Sequence, residues 1–150
     1  MTPTDHGVMG RVMTRVKLTN FVDRCNAANG LISPDAVRRL EIEALVDTGA
    51  VRLALPEDVT TALGLLEIDR RTVRLADGSL RELAVAAGLT IEILGRELEC
   101  DALVLPAGAT PLIGQIPLEG LDLVVDPRSR EVTVNPASPE APIIDLLAAS

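Results

Sequence analysis

The chain has 150 residues, 47% of them hydrophobic, with a formal charge of −8 and a single aromatic residue, Phe21. That length suits one domain with a real core and is short for two. The acidic balance and the lack of aromatic stacking platforms argue against nucleic acid as a partner, and no apolar run approaches the ~18 residues of a membrane span, so no membrane is expected either.

Residues 1–11 read as a flexible leader without the apolar centre of a signal peptide. The leader holds His6, the only histidine. A Ser-His or Cys-His nucleophile and a His-ligated metal site are therefore not expected, and any hydrolysis falls to carboxylates. Val12 to Thr19 alternates with the period of a half-buried strand. Residues 20–35 contain Asn26, Asn29, Gly30 and Pro34 and read as a loop or broken hairpin connection. Val37 to Val46 reads as a second strand, half-exposed at Arg38-Arg39 and fully apolar by Ala44-Leu45-Val46. It runs into Asp47-Thr48-Gly49-Ala50.

Val51 to Leu55 reads as a short strand. Pro56 then opens a helix, with Glu57 and Asp58 against the positive end of its dipole. Val59, Ala62 and Leu63 form its apolar side and Gly64 stops it. Thr72 to Val85 reads as a hairpin about Asp77-Gly78. A two-residue turn there sets Arg74 against Arg81, an unfavourable pair. Either the turn is longer, or both arginines reach into solvent or toward a ligand. Leu89 to Leu94 and Arg96 to Leu105 pair around Gly95. Leu112-Ile113-Gly114 follows, then a helical turn over Ile116 to Leu121 and a last hairpin, Leu121 to Val125 with Glu131 to Val134, around Pro127.

Pro136, Pro139 and Pro142 mark a tail in which Ile143 to Leu147 is expected to dock as a final amphipathic piece. Asp101, Asp122 and Asp126 are expected to be solvated strand ends. Cys25 and Cys100 fit neither metal spacing nor a disulfide framework and are expected to be reduced, buried small hydrophobes in a cytoplasmic protein. Many short strands with one clear helix indicate a small closed β structure.

The chemistry concentrates at Asp47. A strand can deliver a carboxylate to a fixed place, and Gly49 lets backbone N–H groups approach it, as carboxylate-pair hydrolysis of an amide requires. By composition alone, roughly one chain in thirty of this length contains Asp-Thr-Gly, so the surroundings must separate this reading from a solvated, self-capping turn.

Those surroundings resemble the retropepsin-like (retroviral-type) aspartic protease family, and more narrowly its small prokaryotic single-domain members. The resemblance is carried by Leu45-Val46-Asp47-Thr48-Gly49-Ala50, the Thr72–Val85 hairpin with Val73-Arg-Leu-Ala-Asp-Gly78, and Ile91-Glu-Ile-Leu-Gly-Arg96 before Ala102-Leu-Val-Leu105. Pro111-Leu112-Ile113-Gly114 and Gly120-Leu-Asp-Leu-Val-Val-Asp-Pro127 complete it. It spans residues 12–136 as the protease domain, leaving 137–150 as a tail. It implies a mainly β fold, a small closed barrel with one or two short helices, active as a homodimer.

By this resemblance Asp47, Thr48 and Gly49 are the catalytic set, with Thr48 bonding across the dimer and Gly49 presenting its N–H to Asp47. Ala50 must stay small, and together with Leu75, Ala76, Asp77 and Gly78 of the covering hairpin it would contact an extended peptide substrate. Leu112, Ile113 and Gly114 would brace the loop from behind. Flaps of this family are often glycine-rich, whereas this hairpin offers only Gly78.

The reaction needs one ionised carboxylate to activate water and one protonated carboxyl to donate. The chain holds one Asp-Thr-Gly and is half the size of a two-lobed enzyme, so a second copy must supply the other Asp47. No metal or organic cofactor is called for. A non-catalytic dimer that binds peptides or serves assembly is the alternative, although a scaffold has no chemical need for a buried carboxylate pair.

Overall fold

The structure, a computed structural model, describes residues 11–146. Of the expected leader only Arg11, which is exposed, falls among the described residues, and Leu147 of the tail lies outside them. The fold is mainly β. Its strands are β1 (Val12–Asn20), β2 (Arg39–Val46), β3 (Ala54–Pro56), β4 (Leu66–Arg74), β5 (Leu80–Ile93), β6 (Arg96–Leu105), β7 (Leu112–Ile113), β8 (Leu123–Asp126) and β9 (Glu131–Val134). Its helices are α1 (Phe21–Ala28), α2 (Glu57–Ala62) and α3 (Gln115–Leu121), with a single 3-10 turn at Pro34–Ala36.

Strands β1 to β7 make one sheet in the order β1-β2-β7-β3-β6-β5-β4, and β1 also pairs with β5, which closes the sheet into a ring. Closure removes the free edges of the ring strands and leaves β4 outside as an edge. The ring fills with aliphatic side chains: Val16, Leu18, Leu55, Leu89, Ile91 and Ile113 are wholly buried. Strict alternation along β1 puts Val16 and Leu18 inside while Arg15 and Lys17 stay outside.

Strand β5 does two jobs, and a bulge separates them. Its first half pairs with β4, its second half pairs with β1, and the register against β6 slips by one residue between Ala86 and Leu89. Gly88 sits at that slip with φ +85°, a backbone state that glycine adopts without strain. The long strand therefore bends out of the ring, and β4–β5 projects as a hairpin.

Several expectations are corrected. Residues 20–35 are not a loop: Asn20 accepts a hydrogen bond from the Asp23 N–H at 2.9 Å and caps α1. Asn26 lies in the last turn of that helix, and Gly30, at φ +75°, follows its end. Three short α-helices thus replace the expected one or two. Pro56 stands one position before α2, not inside it, and the strand expected over Val51–Leu55 is confined to Ala54–Pro56.

The hairpin begins at Leu66 and its turn is the longer one. Arg74 pairs with Leu80 and Arg81 with Val73, so the two arginines do not oppose each other. The Gly78 N–H donates to the Leu75 carbonyl at 2.9 Å, and Leu75 donates to Ser79 at 2.8 Å. With Gly78 at φ +85° this is a three-residue loop ending in a glycine bulge.

Strands β8 and β9 form a separate two-stranded sheet. Asp122 is no solvated strand end. Its carboxylate accepts hydrogen bonds from the Ser138 hydroxyl, from Asn135 at 2.9 Å and from the Ile143 N–H at 3.0 Å. These donors, the Ser138 hydroxyl foremost, hold its carboxyl down at about 2. Arg96, itself buried, donates to the Asp122 carbonyl at 2.7 Å and to the Ser138 carbonyl. The tail is thus tied down as far as Ile143, but among the described residues beyond it the expected docking is not seen. Ile143, Ile144 and Leu146 are 63%, 75% and 94% exposed. Cys25 and Cys100 are free and only half-buried, and burial pushes the Cys100 thiol up to about 12.

Candidate active site

Asp47 follows the last residue of β2 and is half-buried at the end of the ring. The chain on either side of it is clamped to the strand that runs parallel beside it. Leu45 donates its N–H to the Pro111 carbonyl at 2.9 Å, and Asp47 donates to the Ile113 carbonyl at 2.9 Å. The turn then closes on itself, with the Ala50 N–H reaching the Asp47 carbonyl at 3.0 Å. Within it the Gly49 N–H donates to Oδ1 of Asp47 at 2.9 Å. Backbone and side chain of the carboxylate are therefore both held by main-chain donors and acceptors.

The exit limb of the turn is held as firmly. Gln115 and Ile116, at the start of α3, donate their N–H groups to the Ala50 and Val51 carbonyls at 3.0 and 2.9 Å. Gly114 fits between them because it has no side chain: a Cβ there would come within 2.6 Å of the Arg52 carbonyl oxygen and the Val51 carbonyl carbon. At Gly49 a Cβ would press on Asp47 Oδ1 at 3.2 Å. Residues 45–52 and 111–116 thus interlock through backbone contacts that side-chain bulk would break.

A cleft of about 380 Å³ opens between this turn and the β4–β5 hairpin. Gly49, Ala50 and Val51 line one wall, Val73 and Leu75 of the hairpin the other, and Leu112 is also in contact with it. Its surface is chiefly apolar and its size falls in the range of small-ligand sites, roughly 300–1,000 Å³. Larger hollows on the outer face of β1 are lined with paired charges such as Lys17 with Glu92 and Arg24 with Glu97, and lie away from Asp47.

Of the residues expected in the site, the structure gathers Gly49, Ala50, Leu75 and Leu112 at the cleft. Thr48 is exposed beside Asp47, while Ile113 is wholly buried beneath and contributes its carbonyl. Ala76, Asp77 and Gly78 are exposed at the hairpin tip and do not line the cleft; Asp77 is engaged instead by the Ser79 hydroxyl at 2.6 Å and N–H at 2.9 Å. Sequence reasoning missed Arg52, Leu83, Leu103 and Leu105, which also line it, and named Arg74, another lining residue, only as one of two arginines reaching into solvent or toward a ligand if the turn were tight. The continuous apolar run Ala102-Leu-Val-Leu105 was the available signal for Leu103 and Leu105, both half-buried on either side of buried Val104.

A family model described as aspartyl protease matches residues 27–121. The chain belongs to the aspartyl protease family, in its retropepsin-like clan. The matched span of this aspartyl protease domain holds the Asp47 turn, the β4–β5 hairpin and Leu112-Ile113-Gly114. Strand β1, which closes the ring, lies ahead of it. No curated protein matches the chain. Among the described residues of this family member, no group of three or more His, Cys, Asp or Glu could hold a metal, and no helix is long and apolar enough to cross a membrane.

Proposed function

We propose that this family member is an aspartic endopeptidase that works as a homodimer, each subunit contributing one Asp47. One observation carries the reading: the Asp47 carboxylate is fixed by the Gly49 N–H at the end of a clamped strand, at the edge of an apolar cleft overhung by a hairpin. The catalytic unit would be residues 12–136, since β1 is needed to close the ring. Two Asp47 carboxylates meeting on a two-fold axis cannot both ionise, so they would share one proton. The ionised member takes a proton from water as it attacks the peptide carbonyl, while the protonated member donates to the carbonyl oxygen. On collapse the first passes the water proton to the leaving nitrogen, and the second takes its own proton back from a hydroxyl of the diol.

Thr48, exposed next to Asp47, is available to bond across such a dimer, and Gly49 keeps the carboxylate oriented. The hairpin, projecting over the cleft, would pair with an extended peptide and exclude water, with Ala50 and Leu75 against its side chains. Ala76, Asp77 and Gly78 would reach the substrate only if the tip descends.

Incubation with a mixed peptide library from about pH 4 to about 7 tests the reading. Cleavage is expected in the wild type and should fall roughly a thousandfold or more in Asp47→Asn without loss of the fold. Activity per mole should also decline on dilution below the dimer dissociation constant. Equal cleavage by both proteins would reject Asp47 as catalytic. Well-formed dimers that bind but never cut would favour the non-catalytic peptide-binding alternative.

A further inference from the structure

The charge around the cleft runs against that of the whole molecule. The chain carries 22 acidic and 14 basic residues, yet apart from Asp47 at its edge no carboxylate among the described residues lines the cleft, and its two charged lining residues are both arginines, Arg52 and Arg74. They are not equivalent. Arg52 lies 3.6 Å from Asp101, which offsets its charge. Arg74 is exposed at the end of β4, donates only to the neutral Gly78 carbonyl at 3.3 Å, and has no carboxylate among the described residues within ion-pair reach. Of the other exposed arginines of this hairpin, Arg70 and Arg71 are paired with Glu82 at 2.6 Å and Asp69 at 3.1 Å, and Arg81, which makes no ion pair among the described residues, does not line the cleft. The one near the hairpin tip that faces the cleft is left free.

We infer that Arg74 reads an acidic side chain on the substrate, so that the preferred peptide carries an aliphatic residue with a Glu or Asp beside it. The aliphatic group would seat among Val73, Leu75, Leu83 and Leu112. The neighbouring carboxylate would take two N–H groups of the Arg74 guanidinium, whose planar fork matches a carboxylate. Since Arg74 rides on the hairpin, that contact would also draw the hairpin over the peptide. This inference rests on the proposed use of the cleft for peptides and adds the class of peptide.

The experiment uses matched peptides that differ only in a Glu, Gln or Lys next to a fixed Ile. Cleavage is measured on the wild-type protein, and binding of the intact peptides is measured on Asp47→Asn by fluorescence anisotropy. The Glu peptide is expected to have a KM and a dissociation constant lower than the Gln peptide by about fivefold or more, and the Lys peptide to be the poorest. The preference should shrink as salt is raised. Arg74→Gln should remove it and Arg74→Glu should turn it toward Lys; the site is exposed, so neither should change the melting temperature. Binding that keeps this Arg74 dependence without any cleavage would support the recognition while rejecting the proposed reaction. Equal treatment of the Glu and Gln peptides, or a preference that survives Arg74→Gln, overturns the inference.

Discussion

A methyl group on Gly114 would have to share space with the backbone of residues 51 and 52 at 2.6 Å, a distance no real contact tolerates. Those residues continue the Asp47 turn, so the strain would pass directly to the carboxylate. Gly114→Ala is expected to destabilise the protein by about 1–3 kcal/mol, as overpacking does, and to lower kcat/KM through misplacement of Asp47. Denaturant midpoints and peptide cleavage read both; a variant unchanged in both would show that the interlock is loose. The turn at Asp47-Thr48-Gly49 and the close approach at Leu112-Ile113-Gly114 were legible residue by residue. An Asx-type turn is local chemistry, and a glycine after two aliphatic residues marks close backbone approach. Arg74 was visible only as half of a suspected clash, with solvent or a ligand as the ways out of it. Its place beside the cleft depends on which way the hairpin leans, a property of no single residue.

Among the elements, α1 is the instructive case. Asn26, Asn29, Gly30 and Pro34 read as loop residues, yet Asn20 caps a helix of eight residues there. Asn20 does more than cap. Its side-chain amide donates to the Leu63 carbonyl at 2.7 Å at the end of α2, a long-range bond that local patterning cannot reveal. Replacing Asn20 with Ala removes the cap and leaves that buried carbonyl without its donor, at a cost of about 2–3 kcal/mol. Urea titration followed by circular dichroism should show it, with the midpoint lowered and the slope kept; an unchanged midpoint would mean that water replaces both bonds. Nearby, Asp23 takes the Arg38 guanidinium at 2.8 and 3.0 Å, which lowers its own carboxyl below the ordinary range. The β4–β5 hairpin was read correctly in kind with its turn left open between a tight and a longer one; the longer one forms, with Gly78 as its bulge residue.

At the scale of the molecule, the ring is closed by β1 and anchored to the tail through Asp122 and Arg96. The Asp122 carboxyl falls from its ordinary 3.8 to about 2, chiefly because the Ser138 hydroxyl donates to it, then the Ile143 N–H and Asn135. A carboxyl lowered in the folded state stabilises it above the unfolded value and loses that contribution as the pH drops through the folded one. Stability should therefore decline between about pH 4 and about 2. Asp122→Asn should flatten part of that decline, and should free the tail to proteolysis at neutral pH. A pH series of melting curves and a limited thermolysin digest, which cuts at aliphatic residues such as Ile143, Ile144 and Leu146, would check it; identical acid profiles would refute the role given to Asp122. The ends of the chain were the least legible region, since the hub joins residues 96, 122, 135, 138 and 143, which no short window contains.

From its residues alone, this chain could be read as one small β-rich unit, with Asp47 as the candidate for its chemistry and with histidine, aromatic and metal chemistry not expected. Those conclusions rest on composition, on period-two alternation and on turns whose hydrogen bonds span three or four residues. Ring closure through β1 and β5, the bend at Gly88, the cleft beside the hairpin and the unpaired guanidinium of Arg74 came from the folded chain. Each depends on contacts between segments tens of residues apart, where packing and register, which local preference does not encode, set what faces what.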